Sequence, residues 1–317
     1  MRSLLFLALA FVPIATVVSA DFSDWSVQQT RLMLANVVFA KLRDEIQEKG
    51  STAVKSLDSQ VTLTIATAGP QEPRSTIGNG VRKIVVPDTF VAKTINLARL
   101  MQLARDSTDL GCVATYKVHM ENTGSRTVPE RYLELTVPIC ATFMVRLPLT
   151  LEQEVRAQQE LEATLVFTYL HELGHQYHNH QGVPMPPNVN NKVNQCTYLR
   201  ALDMRRKMEY EADAFAVDAL VSLGHVELVF SMVSLWLAPP MDPDPATIAS
   251  NAMLTQRLAA HPYSPFRFAR ILDRASEELS RQPGTSPELI QLIQQMKDVQ
   301  NRAAEVIAES DAELSPC

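Results

Sequence analysis

Hydrophobic and polar positions follow two regimes along this chain. Through residues 21–148 the period changes repeatedly, and from residue 149 onward it stays close to helical. In the first stretch, Gln28–Glu48 and Phe90–Arg105 carry a helical stripe, while Gln60–Thr67 and Val81–Val86 alternate like strands about a turn at Gly78-Asn79-Gly80. Ala114–His119 and Tyr132–Met144 also predict strands, separated by a polar turn at Glu121–Arg126. In the second stretch, Thr150 and Gln153 have the spacing of a capping box, and Leu151, Val155, Leu161, Leu165 and Leu170 form an apolar stripe. Gly182 and Pro184 stop it, so one long helix is predicted over about 151–180. A second runs over about 199–223, with Leu202, Met208, Ala212, Phe215, Ala219 and Leu223 apolar and Gly224 as its stop. Ser264-Pro265 and Ser286-Pro287 are helix starts, and Met241–Pro245 is a proline-acidic linker. The pattern predicts an α+β fold: a mixed part over 21–148 carrying a small sheet, a helical part over 149–317, and one domain overall.

The start of the chain changes the expected compartment. Arg2, the apolar run Leu4–Val18 and the small residues Val18-Ser19-Ala20 make residues 1–20 a secretory signal, cleaved before Asp21. Val226–Ala238 is apolar but too short to span a bilayer, and Pro239-Pro240 ends it, so it predicts a buried helix and no membrane span in the mature chain. Export, to a periplasm or the outside, permits disulfides among Cys112, Cys140, Cys196 and Cys317. Cys112–Cys140 is the preferred pair because both fall in the strand-rich stretch. Cys196–Cys317 would then pin the tail or a loop near the active site. There is no CxxC spacing to make these cysteines metal ligands. The net charge of −6 and the absence of a basic block argue against nucleic acid as a partner.

The chemistry lies late on the first long helix, at His171-Glu172-Leu173-Gly174-His175. Histidines four apart on a helix share a side and can grip one zinc ion, with the intervening glutamate beside a bound water. Gly174 costs helix stability, which predicts close packing against another element. A third ligand is needed. Gln181 stands where a metzincin would have its third histidine. His178 lies a turn too far along the helix for the same tetrahedral ion, so His178 and His180 are read as surface histidines. The second helix offers Glu209 and Asp213, four apart on one face, with Glu211 pointing nearly the opposite way. One carboxylate would serve the metal; the other, a turn on, would hold a ligand histidine in its tautomer.

HELGH at 171–175, E-x-x-A-D at Glu209–Asp213 and H-P-x-x-x-x-R at His261–Arg267 together resemble the M48 group of gluzincin zinc metallopeptidases, nearest in type to its soluble periplasmic members. The resemblance implies a zincin-like domain with a small mixed sheet over the HExxH helix, and one zinc per chain. It implies His171, His175 and Glu209 as ligands, Glu172 as general base, Asp213 behind the ligands, and His261 and Arg267 as active-site neighbours. His261, Arg267 and Tyr263 are candidate donors to the tetrahedral oxyanion. An extended protein or peptide substrate would pair with a sheet edge, assigned to Arg82–Val86. An envelope-assembly or quality-control chaperone is the alternative, its zinc structural or gated and closed by His178 or His261 as a fourth ligand; a metal-free binding module is a third reading.

Overall fold

The computed structural model describes residues 25–67, 72–123, 133, 137–180, 192–236, 264–281 and scattered positions from 286 to 298. Residues 1–20, expected to be a signal, Gly182, Pro184, the expected linker at 241–245, His261, Tyr263 and Cys317 lie outside them. The chain runs α1 (Trp25–Lys49), α2 (Thr52–Gln60), β1 (Val61–Ala66), β2 (Arg74–Gly78), β3 (Val81–Pro87), α3 (Asp88–Leu103) and α4 (Ser107–Thr123). A 3-10 turn at Pro138–Cys140 leads into α5 (Ala141–Met144). Then come α6 (Leu151–Tyr177), α7 (Lys192–Leu223), α8 (Glu227–Trp236) and α9 (Ser264–Arg281). The described part is mainly helical with one small mixed sheet, as the α+β pattern predicts.

The long helix α6 is the axis of the main core. Its start is the predicted capping box: the Thr150 side chain accepts from Gln153 N–H and the Gln153 side chain reaches back to Thr150 N–H. Leu161, Leu165, Leu170 and Leu173 are buried against Phe39 and Ile46 of α1, Val217 and Leu220 of α7, Val229 of α8 and Leu272 of α9. Val229 and Met232 of α8 are buried, in keeping with the burial expected for its apolar run. Asp58, buried at the end of α2, accepts hydrogen bonds from Arg43, Gln47 and Tyr169 and so ties α1 and α2 to α6. Among the described residues no helix is long and apolar enough to cross a membrane.

The sheet corrects one expectation. Asn79 and Gly80 both take positive φ, 50° and 77°, which fits the two-residue turn of a tight hairpin. That hairpin joins β3 to β2, a strand the sequence reading missed, and β1 lies on the other side, parallel to β3. The order β1-β3-β2 puts Arg82–Val86 in the middle of the sheet, so this segment is not an edge. Both of its backbone sides are already paired, which closes it to an added strand. The sheet meets the end of α6 through Gln176, whose side chain donates to Thr76 O at 3.0 Å while its own carbonyl accepts from Arg82 at 2.7 Å.

A second, smaller core lies beside the first and corrects another expectation. Residues 107–123 are helical, so Ala114–His119 is no strand and Glu121–Thr123 is no turn. Within Tyr132–Met144, the described residues Leu133 and 138–144 are helical or 3-10. The residues favour strand locally, but Cys112, Val113 and Tyr116 bury one helical face against Leu97, Leu100 and Leu103 of α3. Asn96 donates to the buried Tyr116 hydroxyl at 2.9 Å. Cys112 and Cys140 are bonded here as predicted, from a helix to a 3-10 turn and not between strands. Cys196 is also disulfide-bonded.

Candidate metal centre

Helices α6 and α7 cross at Gly174. A side-chain carbon there would lie 2.9 Å from both Cα and O of Ala212 and 3.1 Å from Cβ of Phe215, so only glycine allows this approach. The close crossing sets Glu209 of α7 opposite the two histidines of α6. His171 Nε2 and His175 Nε2 are 3.1 Å apart, and the Glu209 carboxylate lies 3.4 Å from the first and 3.5 Å from the second. Donors bound at about 2.0–2.1 Å to one tetrahedral ion sit about 3.3 Å from one another. The two histidine nitrogens are close to that spacing, the Glu209 carboxylate approaches one with Oε2 and the other with Oε1, and the three residues could hold a metal ion. Glu172 is buried on the same turn of α6 as His171.

Behind His171 stands a charged support. Its Nδ1 is 2.8 Å from Asp213 Oδ1, which fits an Nδ1–H donor and leaves the Nε2 lone pair facing the donor cluster. Arg267 of α9 donates to Asp213 through Nε at 2.6 Å and Nη2 at 2.7 Å, and its Nη2 lies 3.8 Å from Glu209. Arg267 is thus committed to the centre through Asp213 and is no surface charge. Arg270, one turn on, stacks over the Tyr210 ring at 4.0 Å and holds α9 against α7.

Burial alone would raise the Asp213 carboxyl, but the charge and hydrogen bonds of Arg267, with those of His171, hold it below the usual carboxylate range. Burial likewise opposes charge on His171, yet the bond to Asp213 and that residue's charge, with Glu209, lift it to about 9. His175 goes the other way, to about 3, because burial and the neighbouring His171 charge both oppose a second imidazolium. Without metal, the pair thus holds one proton that an ion would have to displace.

The structure brings His171, His175 and Glu209 together, with Asp213 and Arg267 behind them, and keeps Glu211 off the donor cluster, as its facing on α7 predicts. His178 is exposed, as expected. His180 is not a surface histidine. Its side chain is 8% exposed, its Nδ1 lies 2.9 Å from His175 Nδ1, and its Nε2 lies 2.9 Å from Glu211. The cause is the end of α6: Asn179 takes φ +54°, His180 N–H bonds to His175 O, and Asn179 N–H to Gln176 O. That is a Schellman stop, which turns the chain back over the last helical turn. An asparagine four residues after His175 is the signal in the sequence that could have found it.

No protein-family model, curated protein or solved structure matches this chain.

Proposed function

We propose that this chain is a zinc-dependent metallopeptidase of the gluzincin type, similar to soluble M48 members, acting on protein or peptide substrates. The observation that carries the reading is the grouping of His171 Nε2, His175 Nε2 and the Glu209 carboxylate within reach of one ion, with Glu172 buried on the same helix turn as His171. Two histidines and a glutamate suit zinc, and three protein ligands leave a position open for water. The HExxH pairing of His171 and His175 with Glu172 between them favours the peptidase over the chaperone reading. A zinc ion at this site supplies Lewis acidity and a water of lowered pKa.

The chain's own residues do the rest. Glu172 accepts the proton of the attacking water and later hands it to the leaving amine. Asp213 keeps the His171 lone pair aimed at the donor cluster, and Arg267 keeps Asp213 charged. With Nε and Nη2 on Asp213, Arg267 serves as a positioning residue. The signal-like start and the Cys112–Cys140 bridge support an exported location. The test is hydrolysis of a denatured protein, with zinc content measured in parallel. Glu172→Gln is expected to keep zinc and fold while losing chelator-sensitive cleavage. Unchanged turnover in that variant would falsify the mechanism.

A further inference from the structure

We propose that His180 and Glu211 form a positioning relay that holds the ligand His175 in its metal-binding tautomer. The inference rests on the reading of His175 as a ligand and concerns residues outside the donor set. His175 turns Nε2 toward His171 and Glu209, so only Nδ1 is left for support. That nitrogen is 2.9 Å from His180 Nδ1. Two ring nitrogens at this distance need one proton between them.

The metal-binding form of His175 keeps its Nε2 lone pair for the ion, so the proton sits on Nδ1 and is donated to His180. A neutral His180 that accepts at Nδ1 carries its own proton on Nε2. That proton points to Glu211 Oε2, 2.9 Å away. One assignment of protons thus satisfies His175, His180 and Glu211 together. The reverse assignment puts a proton on His175 Nε2, aimed into the donor cluster, and leaves no lone pair for an ion. The relay therefore selects the tautomer that binds.

The backbone is arranged for this contact. Asn179 is in the left-handed region, and the Schellman stop returns His180 to the level of His175. Glu211 sits on the face of α7 away from Glu209 and Asp213, where the returning loop meets it. One helix thus supports both histidines, His171 from one face through Asp213 and His175 from the other through Glu211.

The same residues suggest a competing reading. The donor atoms of His178, His180 and Glu211 lie within 4.8 Å of one another, close enough for a second ion. An ion bound there would take the His180 Nε2 lone pair and move its proton to Nδ1. Two N–H groups, of His175 and His180, would then face each other at 2.9 Å. With the first site filled, the relay and a second ion exclude each other, and the hydrogen-bond distances fit the relay.

The experiment is zinc affinity of the purified full chain by chelator competition, for wild type, His180→Leu, His180→Asn and Glu211→Ala, with circular dichroism as the fold control. His180→Leu should weaken zinc about 10–100-fold, the usual effect of losing such a support. His180→Asn should recover most of the loss, because its Oδ1 can accept where Nδ1 did. Glu211→Ala should lose less than His180→Leu. In the zinc-loaded wild type, nitrogen NMR should show His180 protonated at Nε2, a readout that survives if the leucine variant does not fold. Wild-type affinity in His180→Leu overturns the relay, as does equal loss in the leucine and asparagine variants or a His180 protonated at Nδ1. Loss of one of two bound ions, with the other unweakened, assigns these residues to a second metal site instead. A wild-type chain that binds no zinc overturns the proposed function itself, and the relay with it, before any substitution is made.

Discussion

The two histidines of the centre are supported by unlike materials. Behind His171 stand Asp213 and Arg267, an ion pair contributed by two further helices, with Asp213 buried and Arg267 partly so. Behind His175 stand a neutral His180 from the helix's own end and Glu211, whose side chain is 39% exposed. The first support is part of how α6, α7 and α9 pack, so the fold and the candidate metal centre depend on it together. The second is local, and it can be lost with little cost to the fold because a half-exposed carboxylate is worth little to stability. The comparison teaches that second contacts of similar length can differ in what they hold: one holds a protein core, the other a tautomer.

The largest test of that difference is Asp213→Ala. It leaves Arg267, 19% exposed, with only the longer contact to Glu209 at 3.8 Å, so the loss should fall toward the lower end of the about 3–5 kcal/mol that breaking a buried pair costs. Urea unfolding of the metal-free protein should show this loss, and zinc affinity should fall as well. Glu211→Ala should leave the unfolding curve unchanged. Equal destabilisation by the two variants would erase the distinction between the supports.

Gly174→Ala acts on both sides at once. The added methyl meets the Ala212 backbone, which has no flexible end to give way, so α6 and α7 must separate. Overpacking of this kind costs about 1–3 kcal/mol. Because Glu209, Asp213 and Glu211 all ride on α7, zinc affinity should drop with stability. A variant as stable and as tight as wild type would mean that the crossing does not set the site.

A further test is a matter of protons. His171, lifted to about 9, is charged near neutrality, whereas His175, pushed down to about 3, is neutral. Zinc uptake at about pH 7.5 should release about one proton, all of it from the His171 side. Calorimetric titrations in buffers of different ionisation enthalpy would count it. The signs extend to stability without metal. His171 binds its proton more tightly in the fold, so its contribution is complete below its ordinary value of 6.5 and is lost as pH rises toward about 9. His175 favours its neutral form in the fold, so stability is lost as pH falls from 6.5 toward about 3. The metal-free protein should therefore be most stable near pH 6.5 as far as these two groups decide. A curve that rises from 6.5 to 9 would contradict the assignment.

Legibility in the sequence follows the range of the interactions. The α6 capping box, the shared side of His171 and His175, and the opposite facings of Glu209 and Glu211 are all matters of helical period, and all could be read. Gly174 could be read too, because a helix-weakening residue inside a motif asks for a packing reason. Helix α4 could not. Val113, Thr115, Tyr116 and Val118 favour strand locally, but burial against α3 decides, and the start signal at Asp106, which accepts from Asp109 N–H, is short. The place of β3 in the sheet was hidden because β2, with its alternating half-buried and exposed residues, offers no apolar run to notice. His180 was hidden because its contact depends on one left-handed residue, and period arguments stop where the helix does. Arg267 could be placed near the site only by resemblance, since the packing of α9 on α7 leaves no local mark.

The measurement that bears most directly on the central claim is anomalous diffraction at the zinc edge from crystals of the zinc-loaded chain. The account predicts one strong peak per chain, about 2.0–2.2 Å from His171 Nε2, His175 Nε2 and a Glu209 oxygen, with no fourth protein ligand. A peak among His178, His180 and Glu211 instead, a first site closed by a fourth protein ligand, or no peak at all would contradict it.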